Sequence, residues 1–243
     1  RLYGGDLGWI APADAARCWT QIASANWLAT AHHAATVFRD GLLVDIGSTT
    51  TDLIVLANGR VQTASRSDHE RLASGELVYH GVVRTPLCAL ARQVAFRGHP
   101  VNVMNEWFAT TADVYRMTGE LDPAHDQQPS ADARSKDRTA TRQRLARMIG
   151  LDARDAEDDE WLTLAKAWRQ AQIEEIAASL TRMMATRCGI TSAGTIVTAG
   201  CGAFLVPDLA ARVPALTGWP LRSYGCDVAR IAATDDGAAD ASK

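Results

Sequence analysis

An α/β fold is what this sequence predicts, and three observations predict it. Leu42-Leu43-Val44 and Leu53-Ile54-Val55-Leu56 are apolar runs of strand length on either side of a polar turn. Alanine- and leucine-rich stretches of helical period alternate with such runs along the chain. A further apolar run at 194–199 ends in Gly200-Cys201-Gly202 and passes into another helical stretch, as strands feed helices in layered α/β domains. The 243 residues are enough to bury a substantial core, and 47% hydrophobic against 22% charged residues excludes dominant disorder.

Taken in order, Pro12 stands where a helix commonly begins, and Ala16, Trp19, Ala23, Trp27 and Leu28 recur near helical spacing. Residues 13–31 therefore read as one helix, its negative C-terminus capped by His32 and His33. Strands follow at 41–46, 52–57 and 60–64, the last two joined by the hairpin signal Asn58-Gly59. Residues 76–79 and 82–83 form a short extended unit that Pro86 ends. Strands near 91–95 and 101–104 flank Arg97-Gly98-His99-Pro100, a turn by composition. Residues 109–118 turn helical until Gly119 stops them. Residues 122–137 are polar, hold two prolines and lack apolar period, so they read as a mobile loop.

A short Arg-rich helix follows at 139–149, and Arg138, Arg142, Arg144 and Arg147 read as a solvated face. The longest helical pattern, 157–188, would be about 45 Å long. Trp161, Leu164, Trp168, Ile173, Ile176 and Leu180 form its inner stripe, and Gly189 closes it. The seven-residue spacing of Trp161 and Trp168 fits core packing or a contact in a homo-oligomer. Strand 194–199, helix 203–211, a mixed element at 221–232 and a small polar tail at 235–243 complete the chain. Its opening residues, 1–8, read as the middle of a domain rather than a start.

Charge and cysteine usage narrow the function classes. A net charge of -3 without a Lys/Arg cluster argues against nucleic-acid binding. Five scattered cysteines without a Cys-x-x-Cys pair suit a reducing cytoplasm better than a disulfide framework or a zinc site. No apolar run approaches the ~18 residues that span a membrane, and no signal peptide opens the sequence.

The chemistry concentrates in Val44-Asp45-Ile46-Gly47-Ser48-Thr49-Thr50-Thr51-Asp52. Glycine lets backbone approach a bulky anion, consecutive N–H groups form an anion-holding concavity, and hydroxyls add donors. A neighbouring carboxylate can hold Mg²⁺ directly or through water. The plain alternative is a polar hairpin closed by a Ser/Thr turn. A second phosphate candidate is Thr198-Ala199-Gly200-Cys201-Gly202-Ala203, where a strand ends and a helix opens. Cys201 has no base to make it a nucleophile.

The hairpin and glycine loop, in this order, resemble the actin, hexokinase and Hsp70 (ASKHA) superfamily, and the hairpin is closest to its hydantoinase A/oxoprolinase branch. A narrower resemblance rests on Gly75-Glu76-Leu77-Val78-Tyr79-His80-Gly81-Val82-Val83-Arg84-Thr85-Pro86 and on Asn105-Glu106-Trp107-Phe108-Ala109-Thr110-Thr111-Ala112-Asp113-Val114-Tyr115-Arg116-Met117-Thr118-Gly119. With Arg144-Leu145-Ala146-Arg147-Met148-Ile149-Gly150 and Leu7-Gly8-Trp9, these are similar to the tetrahydromethanopterin-linked C1-transfer pathway family. That family is in turn similar to the furanylmethanamine synthases of methanofuran biosynthesis.

The resemblance implies a two-lobed fold, incomplete here, with an inserted helical segment. Residues 1–121 would form a central actin-like part with the phosphate hairpin, 122–137 a mobile loop, and 138–243 a helical segment with the glycine loop. The superfamily's first Asp-x-Gly-Gly hairpin is not found, so the start of the N-terminal lobe is expected to be missing. The implied reaction condenses an aminomethylfuran-methanol diphosphate with a tyramine-type phenol and releases pyrophosphate, supplying methylofuran to one-carbon metabolism.

On this resemblance Gly47, Ser48, Thr49, Thr50 and Thr51 cradle the diphosphate, Gly200 and Gly202 line the opposite wall, and Asp45 and Asp52 hold Mg²⁺ or its waters. Arg84 is the guanidinium clamp. Glu76, Glu106 and Asp113 are the candidates to stabilise a cationic furfuryl carbon and to deprotonate the phenol. Glu106 and Asp113 share a helix face only if the helix starts that early. Tyr79 and Tyr115 read as core. The chemistry does not require ATP. The competing readings are an ATP-dependent hydantoinase/oxoprolinase-type hydrolase and a non-catalytic phosphate-cleft protein.

Overall fold

The apolar runs around the hydroxyl-rich turn lie in the middle of a six-stranded sheet. The computed structural model describes residues 1–23, 25–63, 65, 67–186 and 194–228. A small antiparallel ribbon, β1 (Leu2–Tyr3) with β2 (Trp9–Ile10), comes first. Helices α1 (Trp19–Ile22) and α2 (Asn26–Val37) follow, then β3 (Gly41–Ile46), β4 (Thr51–Ala57) and β5 (Arg60–Val61). Next come α3 (Asp68–Ser74), β6 (Leu77–Val78), α4 (Leu87–Leu90) and a separate hairpin, β7 (Gln93–Phe96) with β8 (His99–Asn102). Helices α5 (Thr111–Thr118), α6 (Arg138–Arg147) and α7 (Asp158–Thr186) precede β9 (Thr195–Ala199), α8 (Val206–Arg212) and β10 (Leu221–Ser223).

The sheet order is β10-β9-β3-β4-β5, with β6 also paired to β4. The pairings β10–β9 and β9–β3 are parallel, and those of β4 are antiparallel. Strand alternation divides the core in two. Leu42, Val44, Ile46, Leu53 and Val55 pack with α5, α6, α7 and α8, whereas Leu43, Ile54, Leu56, Val197 and Ala199 pack with Trp27, Leu28, Ala31, Ala34 and Ala35 of α2. By the same alternation Asp45 and Asp52 fall on the α2 side of the sheet.

Several expectations hold closely. The strands read at 41–46, 52–57 and 194–199 form at 41–46, 51–57 and 195–199, and Asn58 and Gly59 take the positive φ values of a tight hairpin turn, 54° and 73°. Gly119 caps α5 at φ 77°. The inner stripe of α7 is core, and Trp161 and Trp168 are fully buried within this chain. The expected helix end at Cys188 and Gly189, residues 229–232 of the last mixed element and the tail at 235–243 lie outside the described residues.

Other elements differ. The single helix expected at 13–31 is a 3₁₀ turn at Pro12–Asp14, then α1 and α2, because Ala23 is extended (ψ 130°) and α2 presents its own apolar stripe to the sheet. His32 and His33 therefore sit inside α2 rather than at its end. Their Nδ1 atoms lie 2.6 Å from the Tyr3 hydroxyl and 3.0 Å from the Tyr224 hydroxyl. The strand expected at 60–64 covers only β5, and residues 82–83 form no strand, since their N–H groups bond to the turn after β3. Helix α3 was not anticipated, although Ser67 and Glu70 form a reciprocal capping box and Gly75 ends it at φ 80°.

Of the Arg-rich helix only part is solvated. Arg138 and Arg142 pair with Asp158, but Arg144 is completely buried between Asp113 (2.8 Å) and Asp132 (3.1 Å). Residues 122–137 carry partners for this core: Asp126 binds Arg116 and Lys136, and Asp132 binds Arg144. Tyr115 is core and donates to Gln172 Oε1 at 2.7 Å, whereas Tyr79 is exposed.

Candidate functional site

The turn at 47–50 joins the two central strands, and register puts Asp45 directly opposite Asp52 at its base. The Gly47 N–H donates to the Thr50 carbonyl at 2.8 Å, folding the turn on itself. Among the described residues, the N–H groups of Ser48, Thr49 and Thr50 meet no protein acceptor. The Ser48 and Thr49 hydroxyls lie 3.4 Å apart beside them. Consecutive unspent N–H groups flanked by hydroxyls make a concavity for an anion. Thr51 differs from its neighbours: it is fully buried, and its hydroxyl donates to the His80 carbonyl at 2.7 Å.

The two carboxylates have unlike surroundings. Asp52 accepts from Arg71 at 2.7 Å, and the buried Arg71 guanidinium lies 3.9 Å above the Trp27 ring. Burial still holds the Asp52 carboxyl above its ordinary value, with Arg71 opposing. Asp45 has no hydrogen bond or ion pair among the described residues, and burial, then the nearby Asp52, push its carboxyl up to about 6. The Cys201 thiol and the Tyr224 phenol are raised too, by burial first and Asp45 second.

For a divalent cation, the described residues hold no group of three or more His, Cys, Asp or Glu. Mg²⁺ binds through one or two carboxylates completed by water and substrate phosphate, so Asp45, poor in protein partners, suits it. Asp52 could join only by sharing its carboxylate with Arg71.

Two neighbouring loops close on the turn through glycines. The Gly202 N–H donates to the Ile46 carbonyl at 2.7 Å. A Cβ on Gly200 would stand 2.3 Å from the Ile46 oxygen and 2.4 Å from Asp45 Oδ1, and one on Gly202 would meet Ile46 at 2.4 Å. The glycine loop therefore packs against the base of the hairpin. The helix expected at 203–211 follows it, opening as a 3₁₀ turn at Ala203–Leu205 that runs into α8.

On the other side, Val82, Val83 and Arg84 donate their N–H groups to the carbonyls of Gly47, Ser48 and Ser48 at 2.9–3.0 Å. A Cβ on Gly81 would lie 2.4 Å from Ser48 C and Thr49 N. The Gly81 carbonyl in turn accepts from Thr111 Oγ1 at 2.8 Å and Gln172 Nε2 at 3.0 Å.

The structure thus gathers Asp45, Asp52, Gly47, Ser48, Thr49, Thr50, Gly200 and Gly202 around one turn, with the Arg84 backbone beside them. The Arg84 side chain is exposed and has no partner among the described residues. Glu76 is buried, and its Oε2 accepts from Thr63 Oγ1 at 2.7 Å. Glu106 is exposed and outside α5, which starts at Thr111, so it does not share a helix face with Asp113. Asp113 is fully buried, with Oδ1 on Arg116 and Arg144 and Oδ2 on the Thr110 N–H.

Three contributors escaped the sequence reading. Arg71 was hidden with α3, although Ser67-x-x-Glu70 marks that helix. Gly81 lay within a quoted motif without a role. Tyr224 and His33 meet from residues 191 apart, with no local signal.

The hydantoinase/oxoprolinase family model matches residues 5–217 of this chain. A relative from Methanocaldococcus jannaschii, named (4-{4-[2-(gamma-L-glutamylamino)ethyl]phenoxymethyl}furan-2-yl)methanamine synthase, is 35% identical over 153 residues, covering 63% of this chain and 46% of the relative. One of the same name from Methanococcus vannielii is 28% identical over 170 residues, covering 70% of this chain and 74% of the relative. The chain thus spans about half the length of the first of these relatives.

Proposed function

This chain belongs to the hydantoinase/oxoprolinase family, and on that premise we propose that it carries the diphosphate-holding part of a transferase of methanofuran or methylofuran synthesis. In the proposed reaction an aminomethylfuran-methanol diphosphate is joined to a tyramine-type phenol. The names of the two relatives describe the corresponding furan–phenol ether product and support this reading. The single observation that carries it is the turn at 47–50, whose unspent N–H groups and hydroxyls sit beside the carboxylate of Asp45.

In the proposed step the bond from the furfuryl carbon to the diphosphate oxygen breaks, and its electron pair stays with the leaving group. The phenol oxygen forms the new ether bond, and its proton passes to a carboxylate. Ser48, Thr49 and Thr50 donate to the diphosphate as its charge grows, and Arg84 clamps it from the adjoining loop. A bound Mg²⁺, held by Asp45 and shared by Asp52, would neutralise part of that charge. Glu106, exposed and next to Trp107, is the best placed of the three carboxylate candidates to receive the proton. Glu76 and Asp113 are buried in internal bonds.

Pyrophosphate release from the furfuryl diphosphate should require the added phenol. Release at the same rate without it would overturn the transferase reading. The family match favours one alternative, a hydantoinase/oxoprolinase-type hydrolase, which would instead turn over ATP with a cyclic imide.

A further inference from the structure

Resting on the transferase reading above, we propose that a cavity beside the diphosphate turn seats the aromatic ring of the phenol acceptor. The cavity, about 210 Å³, is lined by Arg84, Pro86, Trp107, Thr110, Gln128 and Pro129, among others. Small-molecule sites combine such apolar walls with a few polar groups, but those that engulf a whole ligand measure roughly 300–1,000 Å³. This hollow therefore takes a ring and its short arm and leaves a longer tail outside.

Trp107 supplies the stacking face. Its side chain is 60% exposed, an uncovered indole beside a hollow, and planar rings pack on such faces in offset or edge geometry. The two prolines leave the other walls apolar, and Gln128 and Thr110 offer the polar atoms that a phenol with a substituted arm needs.

Backbone bonds tie this cavity to the turn. The N–H groups of Val83 and Arg84, both lining residues, donate to the Ser48 carbonyl at 3.0 and 2.9 Å. The far wall is fixed by the Pro86–Thr110 bridge and by the Thr111 N–H, which donates to the Thr85 carbonyl at 2.9 Å. Arg84 stands between turn and cavity, its guanidinium without a partner among the described residues. A diphosphate on the turn and a ring on Trp107 would meet across it.

Calorimetry of the full chain with tyramine, and separately with pyrophosphate, tests the assignment in Trp107→Ala and in Gln128→Trp, which fills the cavity. Both positions are exposed, so neither change disturbs the core. Tyramine affinity should fall about tenfold in each, with pyrophosphate affinity held within about twofold. KM for the phenol should rise, with kcat largely kept. Unchanged tyramine affinity and KM in both variants would overturn the cavity and leave the transferase standing. Tyramine binding lost in both variants, but with no ether ever formed, would sink the transferase and keep the aromatic seat. A wild-type chain that binds pyrophosphate but no phenol overturns both.

Discussion

Asp45 and Asp52 face each other across one pair of strands, yet among the described residues only Asp52 has a counter-ion, Arg71. Partial burial without a counter-ion, and then the neighbouring charge of Asp52, raise the Asp45 carboxyl from 3.8 to about 6. The sign of the stability effect follows. The folded carboxyl holds its proton more tightly than the unfolded one, so its ionisation destabilises the fold fully above about pH 6 and not at all below about pH 4. Asp45→Asn should therefore stabilise the protein by up to about 3 kcal/mol at pH 8 in cation-free buffer and be neutral at pH 3.5. Urea unfolding across that range is the check, and a pH-independent difference would sink the argument. That both carboxylates share a sheet face was legible, because Asp45 and Asp52 sit at fixed parity relative to the apolar positions of their strands. That only one is neutralised was not, since Arg71 reaches Asp52 from a helix nineteen residues on.

At the scale of elements, the strands were easier to read than the loops. β3 and β4 each hold an apolar run of three or more residues, β9 the apolar pair Ile196-Val197, and burial of these on both faces leaves little else for them to be. The loop at 79–86 carries equal structural weight but has no period. Its conformation is set by bonds to residues some thirty to ninety positions away, among them Thr51 to the His80 carbonyl and Gln172 to the Gly81 carbonyl. Gly81 is where this loop touches the turn. Gly81→Ala would drive a methyl into the Ser48–Thr49 peptide at 2.4 Å, backbone that cannot rotate away. Stability should fall by about 1–3 kcal/mol, as for overpacked sites. Pyrophosphate binding should fall further than in Gly98→Ala, a control that is strained by its φ of 78° but meets no atom within 4 Å and lies in the separate β7–β8 hairpin. Equal pyrophosphate affinity in the two variants would show that the loop does not shape the turn.

Across the whole molecule, the turn is supported from both faces of the sheet. The α2 side supplies Trp27 under Arg71, and the other side supplies α5 and α7 through the Gly81 carbonyl. An anion bound at the turn is thus coupled to both halves of the core, so its binding free energy should appear as global stability. Pyrophosphate with Mg²⁺ at a hundred times its Kd would add about 2.7 kcal/mol. For a chain of this size, 1 kcal/mol moves Tm by roughly 2–4 °C, which makes the expected rise about 5–10 °C. The identity of the anion decides between the proposed transferase and the hydrolase. If the turn holds a substrate diphosphate, pyrophosphate should raise Tm well above ATP at equal concentration, and chelating Mg²⁺ should remove most of the difference. If it serves a nucleotide, ATP should stabilise more. Ser48→Ala with Thr49→Ala, which removes both hydroxyls but keeps the N–H groups, should then cut the shift without changing the unliganded Tm, because Ser48 is exposed and, among the described residues, neither hydroxyl bonds beyond its neighbour. A pyrophosphate shift that survives this double change at full size would place the anion elsewhere on the molecule.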